Sequence, residues 1–119
     1  MASPGRRLGL ALSSSGQTLL QRLHQRGHLN ELVERGGDSS AWFKTNWQPG
    51  VVLIVVGAVG AVTRLIAAQI RGKQHDPAVL VLDPQGRWCI PLLGGHSSGA
   101  EQLAREIATD LGGTAVLTG

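Results

Sequence analysis

The sequence predicts an α/β domain, a three-layer α/β/α sandwich on a mixed, mostly parallel sheet of about five strands with one β-hairpin. Three observations carry this. Val51 to Val56 is an unbroken apolar run without polar alternation, the pattern of a strand buried on both faces under helices. Two glycine clusters, Gly57 to Gly60 and Gly94 to Gly99, each lead from a strand into an amphipathic helix. Between Val79–Leu82 and Trp88–Leu92 stands Asp83-Pro84-Gln85-Gly86, with Asp first, Pro second and Gly fourth as a type I turn prefers, so the flanking runs read as a hairpin.

Along the chain, Leu8 to Leu12 reads as a first strand. Ser14-Ser15-Gly16-Gln17 has the S-x-x-Q form of a capping box, which makes Ser14 the expected cap of the first helix. Leu19, Leu20 and Leu23 give that helix its apolar face, and after Gly27 the residues Leu29, Leu32 and Val33 are expected to resume it until Gly36-Gly37. From Asp38 to Gly50 the pattern is weak; Trp42, Phe43 and Trp47 either form a short helix over the sheet or stay partly exposed. After the Val51–Val56 strand, Val62, Leu65, Ile66 and Ile70 form the stripe of a helix ending before Gly72. Pro91 has no N–H for a sheet ladder, so its strand is an edge or bulges there. Ser98 and Glu101 suggest a second capping box; Ala100, Leu103, Ala104, Ile107 and Leu111 form one face of the last helix, and Thr114 to Thr118 a final strand.

Composition bounds the function classes. At 119 residues the chain holds one domain, 1–119, and a hydrophobic content of 42% suffices for a packed core. A net charge of +3 spread over scattered basic residues, with no Tyr, argues against nucleic acid as a partner, because such readers pair a basic stripe with stacking aromatics. The longest apolar stretch, Val51 to Val62, is well short of the roughly 20 residues that span a bilayer, so no membrane partner is expected. The single Cys89 cannot form an internal disulfide, and no signal-peptide core follows Arg6-Arg7, which together predict a cytoplasmic protein.

The residues able to carry chemistry cluster at the glycine turns. Gly94, Gly95, Ser97, Ser98 and Gly99 offer backbone amides and hydroxyls at the positive end of a helix, where carboxylates and phosphates bind; the alternative is a tight turn only. His96 in their midst has a reference pKa suited to proton transfer at neutral pH, and is either a general acid or base or a loop histidine without a role. Gly57 and Gly60 stand at the end of the most buried strand, where open α/β sheets hold ligands, and Arg64, one helical turn on, can clamp a carboxylate or simply be solvated. Two turns of the same kind suggest one shared crevice. His24 and His28 are spaced i, i+4 as metal ligands are, but lack a third ligand, so no metal is expected. Asp76 and Asp83 read as turn residues, with Asp76 beside His75 an alternative proton-transfer pair; Cys89 reads as core.

The segments Val56-Gly57-Ala58-Val59-Gly60-Ala61-Val62-Thr63-Arg64, Asp76-Pro77-Ala78-Val79 and Ile90-Pro91-Leu92-Leu93-Gly94-Gly95-His96, with Gly99-Ala100 and Leu103-Ala104, resemble in order and spacing the N-terminal domain of the CbiG family of cobalamin biosynthesis. The resemblance is best from about Val51 onward. It implies a part in cobalt-precorrin-5A hydrolysis, in which a lactone on a ring-contracted macrocycle is opened and a two-carbon unit leaves as acetaldehyde. The substrate brings its own cobalt, so no further cofactor is implied. His96 becomes the general acid or base and Arg64 the clamp for an acetate or propionate side chain. The alternatives are a non-catalytic corrinoid-binding module serving a precorrin methyltransferase, and a shared fold alone, with the turns holding a nucleotide or nothing. Family members are longer and carry a separate C-terminal domain, so the chain is expected to be part of a longer or fused protein. It departs from the family pattern at Ser98, where glycine is usual, and at Glu101-Gln102, where Asn-Glu is usual.

Overall fold

A computed structural model describes residues 5–33, 37–94 and 99–119. The element order is β1 (Arg7–Ala11), α1 (Ser14–Gln25), β2 (Glu31–Leu32), α2 (Ser39–Asn46), β3 (Val52–Val56), α3 (Val59–Ile66), β4 (Ala78–Leu82), β5 (Trp88–Leu93), α4 (Ala100–Leu111) and β6 (Thr114–Ala115). One six-stranded sheet runs in the order β2-β1-β3-β4-β5-β6. The pairs β1–β2, β1–β3, β3–β4 and β5–β6 are parallel and β4–β5 is antiparallel, which gives the expected mixed sheet with its hairpin.

The core lies in two layers, because β3 and β4 are buried on both faces and their alternate residues feed opposite sides. Ile54, Val56, Leu80 and Leu82 pack with Leu19, Leu20 and Leu23 of α1 and with Leu103, Ala104 and Ile107 of α4. Leu53, Val55, Val79 and Val81 pack on the other side with Phe43 of α2 and with Val62 and Ile66 of α3. Cys89 is fully buried in the first layer, as its place in the hairpin predicts. Burial and the nearby charge of Asp83 push its thiol up to about 11, so it stays protonated and inert at neutral pH.

Several local expectations are corrected. Leu29, Leu32 and Val33 do not resume a helix: α1 stops at Gln25, Gly27 adopts a left-handed φ of +83°, and Glu31–Leu32 pairs with β1 as the sixth strand. Long-range pairing overrides the helical spacing of these residues, and Leu29 turns inward under α1. The cap of α1 is Ser13, one residue before the expected Ser14; its hydroxyl accepts the Gly16 amide at 3.1 Å. α3 ends at Ile66, leaving Ile70 exposed outside it, and β6 ends at Ala115. The segment with the weak pattern is the helix α2, with Phe43 buried and Trp42 edge-on to it. Around Pro91 the register shifts between Val79 and Leu80, so the missing N–H is accommodated by a bulge.

Candidate functional site

The first glycine turn is built at the carboxyl edge of the parallel strands. The Leu12 amide donates to the Val56 carbonyl at 2.9 Å and the Gly57 amide to the Leu82 carbonyl at 2.9 Å, which pins the exits of β1 and β3 side by side. Gly57 is glycine for a packing reason: a Cβ there would stand 2.7 Å from Leu12 Cδ1. Gly60 has open space around it, with Arg64 Nη1 at 3.8 Å from where a Cβ would be. α3 starts from Ala58, which supplies no side-chain cap, so the amides of its first turn keep their positive potential for an outside acceptor. Arg64 is exposed and folds its guanidinium back toward that turn. Amides and guanidinium together make a surface suited to a carboxylate.

The second turn is described only at its ends. Gly94 and Gly99 have φ of +69° and +84°, left-handed values that favour glycine. Gly95, His96, Ser97 and Ser98 lie outside the described residues. Gly99 itself caps α4 without a side-chain bond, and Glu101 pairs with Arg105 at 3.4 Å on the same helix. The acid expected in a capping box is therefore engaged along the helix surface.

β5 leaves the sheet before Gly94 at the edge opposite the first turn, which speaks against the shared crevice expected from the sequence. β3 leaves the sheet at Val56, level with Leu82, whereas β5 ends at Leu93, level with Val79. The antiparallel hairpin returns the chain to the amino edge of the sheet before Gly94. Three residues along β4 separate the levels by about 10 Å, and two inter-strand spacings add about 10 Å laterally. The helices that follow also lie on opposite faces, α3 over one core layer and α4 over the other.

The remaining candidates are structural. His28 lies beyond α1, so it does not share a helix face with His24; its Nε2 stands 2.7 Å from Asp110 Oδ2. Arg26 makes a two-pronged contact to the same carboxylate, with Nε to Oδ2 at 2.7 Å and Nη2 to Oδ1. The hydrogen bonds from Arg26 and His28 hold the Asp110 carboxyl well below the usual range. Among the described residues no group of three or more His, Cys, Asp or Glu is placed to hold a metal ion. Asp76 is no exposed turn residue: at 8% exposure it accepts the Arg71 amide at 2.8 Å, the Gly72 amide at 3.0 Å and the Trp47 indole at 3.0 Å. Asp83 is a turn residue as expected, accepting the Trp88 amide at 2.7 Å.

One feature had no sequence signal. A cavity of about 450 Å³ opens between the carboxyl end of β1 and α2. It flanks β1, where the chain leaves toward β2 on one side and β3 on the other, the switch point at which open α/β sheets bind ligands. Reading residues 29–33 as helix conceals this switch point, because without β2 there is no reversal.

The family model for the N-terminal part of cobalamin synthesis protein G matches residues 41–119. The chain belongs to the CbiG N-terminal family. Proteins named cobalt-precorrin-5A hydrolase from Priestia megaterium and from Salmonella typhimurium are each 44% identical to it over 66 residues, covering 56% of this chain. The matched part is 18% and 19% of those relatives, so the chain corresponds to a small part of their length. A crystal structure described as a cobalamin biosynthesis protein G homolog from Sulfolobus solfataricus superimposes with a TM-score of 0.74 at 27% identity, covering 97% of this chain and 37% of that one. That likeness takes in described residues before Ala41 as well, beyond the family-model match. Among the described residues, no helix is long and apolar enough to cross a membrane.

Proposed function

We propose that this chain acts in cobalamin biosynthesis as the N-terminal part of a cobalt-precorrin-5A hydrolase, binding the cobalt-bearing macrocycle and contributing to the opening of its lactone with release of acetaldehyde. The observation that carries the reading is the 44% identity to curated enzymes of that name. The local physics agrees with the substrate's chemistry. A macrocycle fringed with acetates and propionates needs amide-rich, positively charged turns, and the uncapped start of α3 with Arg64 is such a surface.

Because β5 leaves the sheet at the edge opposite the first glycine turn, each turn is assigned its own role. Gly57, Gly60 and Arg64 hold a carboxylate of the substrate or of the rest of the enzyme. The turn of Gly94, Gly95, His96, Ser97, Ser98 and Gly99 carries the reacting side, with His96 as general acid or base and the amides supporting charge that develops on the lactone oxygen. The other parts of the longer protein complete the enclosure, and the reduced, buried Cys89 fits a cytoplasmic setting.

Titration of the protein with a cobalt-corrinoid, followed by the corrinoid's visible absorbance, tests the binding half of this reading. Saturable spectral change is expected, with none from ATP or NAD added as competitors. Competition by a nucleotide, or an unchanged spectrum at all protein concentrations, would leave only the fold in common with the hydrolases.

A further inference from the structure

We infer that the β5–β6 corner of the sheet is the surface on which the remainder of the longer hydrolase docks, through an uncharged, apolar segment that extends the sheet beyond β6. This rests on the reading of the chain as one part of that enzyme. The sheet is covered unevenly. On one face α4 lies over β5 and β6, and Cys89 and Ala115 pack there with Leu103, Ala104 and Ile107. On the other face Leu92 and Leu93 of β5 reach the layer under α2 and α3, but Trp88, Ile90 and Val116 belong to neither buried layer. In the parallel β5–β6 pair Trp88 stands opposite Thr114 and Cys89 opposite Ala115, so Ile90 falls opposite Val116 and these side chains share the face away from Cys89. Trp88 is 49% exposed, Thr114 is exposed, and Ile90 and Val116 are half-buried. A singly exposed apolar residue such as Ile70 is ordinary; a contiguous group around a tryptophan marks a contact surface.

The edge of the same corner is open. β6 is the last strand in the sheet order. Thr114 and Val116 donate their amides to the Arg87 carbonyl at 2.7 Å and the Cys89 carbonyl at 2.9 Å, so alternation turns the amide and carbonyl of Ala115 away from β5. The segment from Thr114 to Gly119 has no charge and no proline, the devices that commonly blunt such an edge. The opposite edge is blunted, since Glu31 of β2 carries a charge and pairs with Arg6.

The size of the relatives supplies the occupant. The curated hydrolases are matched over only 18% and 19% of their length, and the superimposable crystal structure over 37% of its chain, so most of each such protein lies outside this domain. An uncharged apolar patch suits a permanent contact within one protein, whereas a transient partner meets a more polar surface. An added strand would satisfy the Ala115 amide and carbonyl, and the side chains it brings would cover Trp88, a residue type that anchors interfaces.

The test uses the complete hydrolase containing this domain, with Thr114→Cys or, as a reference on the exposed side of α1, Gln21→Cys. Each is labelled with N-ethylmaleimide and read at its own peptide by mass spectrometry; Cys89 is fully buried and adds little background. In the native enzyme Thr114→Cys should label at least about tenfold more slowly than Gln21→Cys, and in urea equally fast. Adding Trp88→Ser removes the anchor and should speed labelling of Thr114→Cys about tenfold, with circular dichroism checking that the fold is kept. Equal native rates at the two positions, or a Thr114→Cys rate unmoved by Trp88→Ser, would overturn the inference. So would protection that disappears as a dimer dissociates on dilution, which would give the face to a second copy of the chain. Acetaldehyde release by the same preparations reports the hydrolase reading separately: an active enzyme that labels freely at Thr114→Cys loses the docking surface and keeps its activity.

Discussion

The Trp47 indole N–H donates to Asp76 Oδ1 at 3.0 Å, tying the end of α2 to the segment that enters β4. The same carboxylate takes two backbone amides, so one buried side chain fixes a loop, a helix end and the start of a central strand. Removing it leaves these donors without an acceptor in a nearly dry site. Asp76→Ala should therefore destabilise the fold by about 2–3 kcal/mol, and Trp47→Phe, which sacrifices one bond, by about 1 kcal/mol. Urea unfolding of the two variants checks the order; equal effects would assign Asp76 no role beyond the indole.

Acid should unfold the protein through two carboxylates. Burial alone would raise the pKa of Asp76, but the Arg71 amide, the Trp47 indole, the Gly72 amide and the field of His75 outweigh it, and the net shift is downward. Asp110 is lowered by Arg26 and His28. A depressed folded pKa contributes stability that is present above the unfolded value of about 4 and lost as pH falls through the folded value. The urea midpoint should hold steady from about pH 7 to pH 5 and drop below about pH 4. Asp76→Asn and Asp110→Asn should each flatten that drop, since a neutral amide has no proton to take up.

Gly57 and Gly60 separate packing from function. Gly57→Ala should cost about 1–3 kcal/mol, because the added methyl meets Leu12 and the exits of β1 and β3 must part. Gly60→Ala faces open space in a helical turn and should stabilise the chain by about 0.5–1 kcal/mol. If a ligand approaches the amides of this turn, the same Gly60→Ala variant should bind cobalt-corrinoid less tightly while melting higher. Unchanged affinity would remove Gly60 from the binding surface.

Much of this architecture was legible because burial leaves a direct imprint on apolar runs. Val51–Val56 reads as a strand since both faces have to be apolar, and Val79–Leu82 with Trp88–Leu92 as a hairpin since the residue types of Asp83 to Gly86 suit one turn. β2 was missed because two residues are too few to show alternation, and its pairing with Leu8 and Gly9 is a tertiary fact. That omission hid the switch point and the cavity beside it. The contacts of Asp76 with Trp47 and of Asp110 with Arg26 and His28 join residues 29, 84 and 82 positions apart, beyond any local pattern. The expected common crevice fails for a simpler reason: both turns run from strand to helix, but the antiparallel β5 delivers the chain to the other edge of the sheet.

Acetaldehyde release from cobalt-precorrin-5A, measured with the complete hydrolase containing this domain, tests the central claim most directly. His96→Ala should abolish release while the corrinoid's absorbance still reports binding, as removal of a general acid or base from a formed site requires. Full acetaldehyde release by the His96→Ala enzyme would contradict the assignment and take the Gly94–Gly99 turn out of the chemistry.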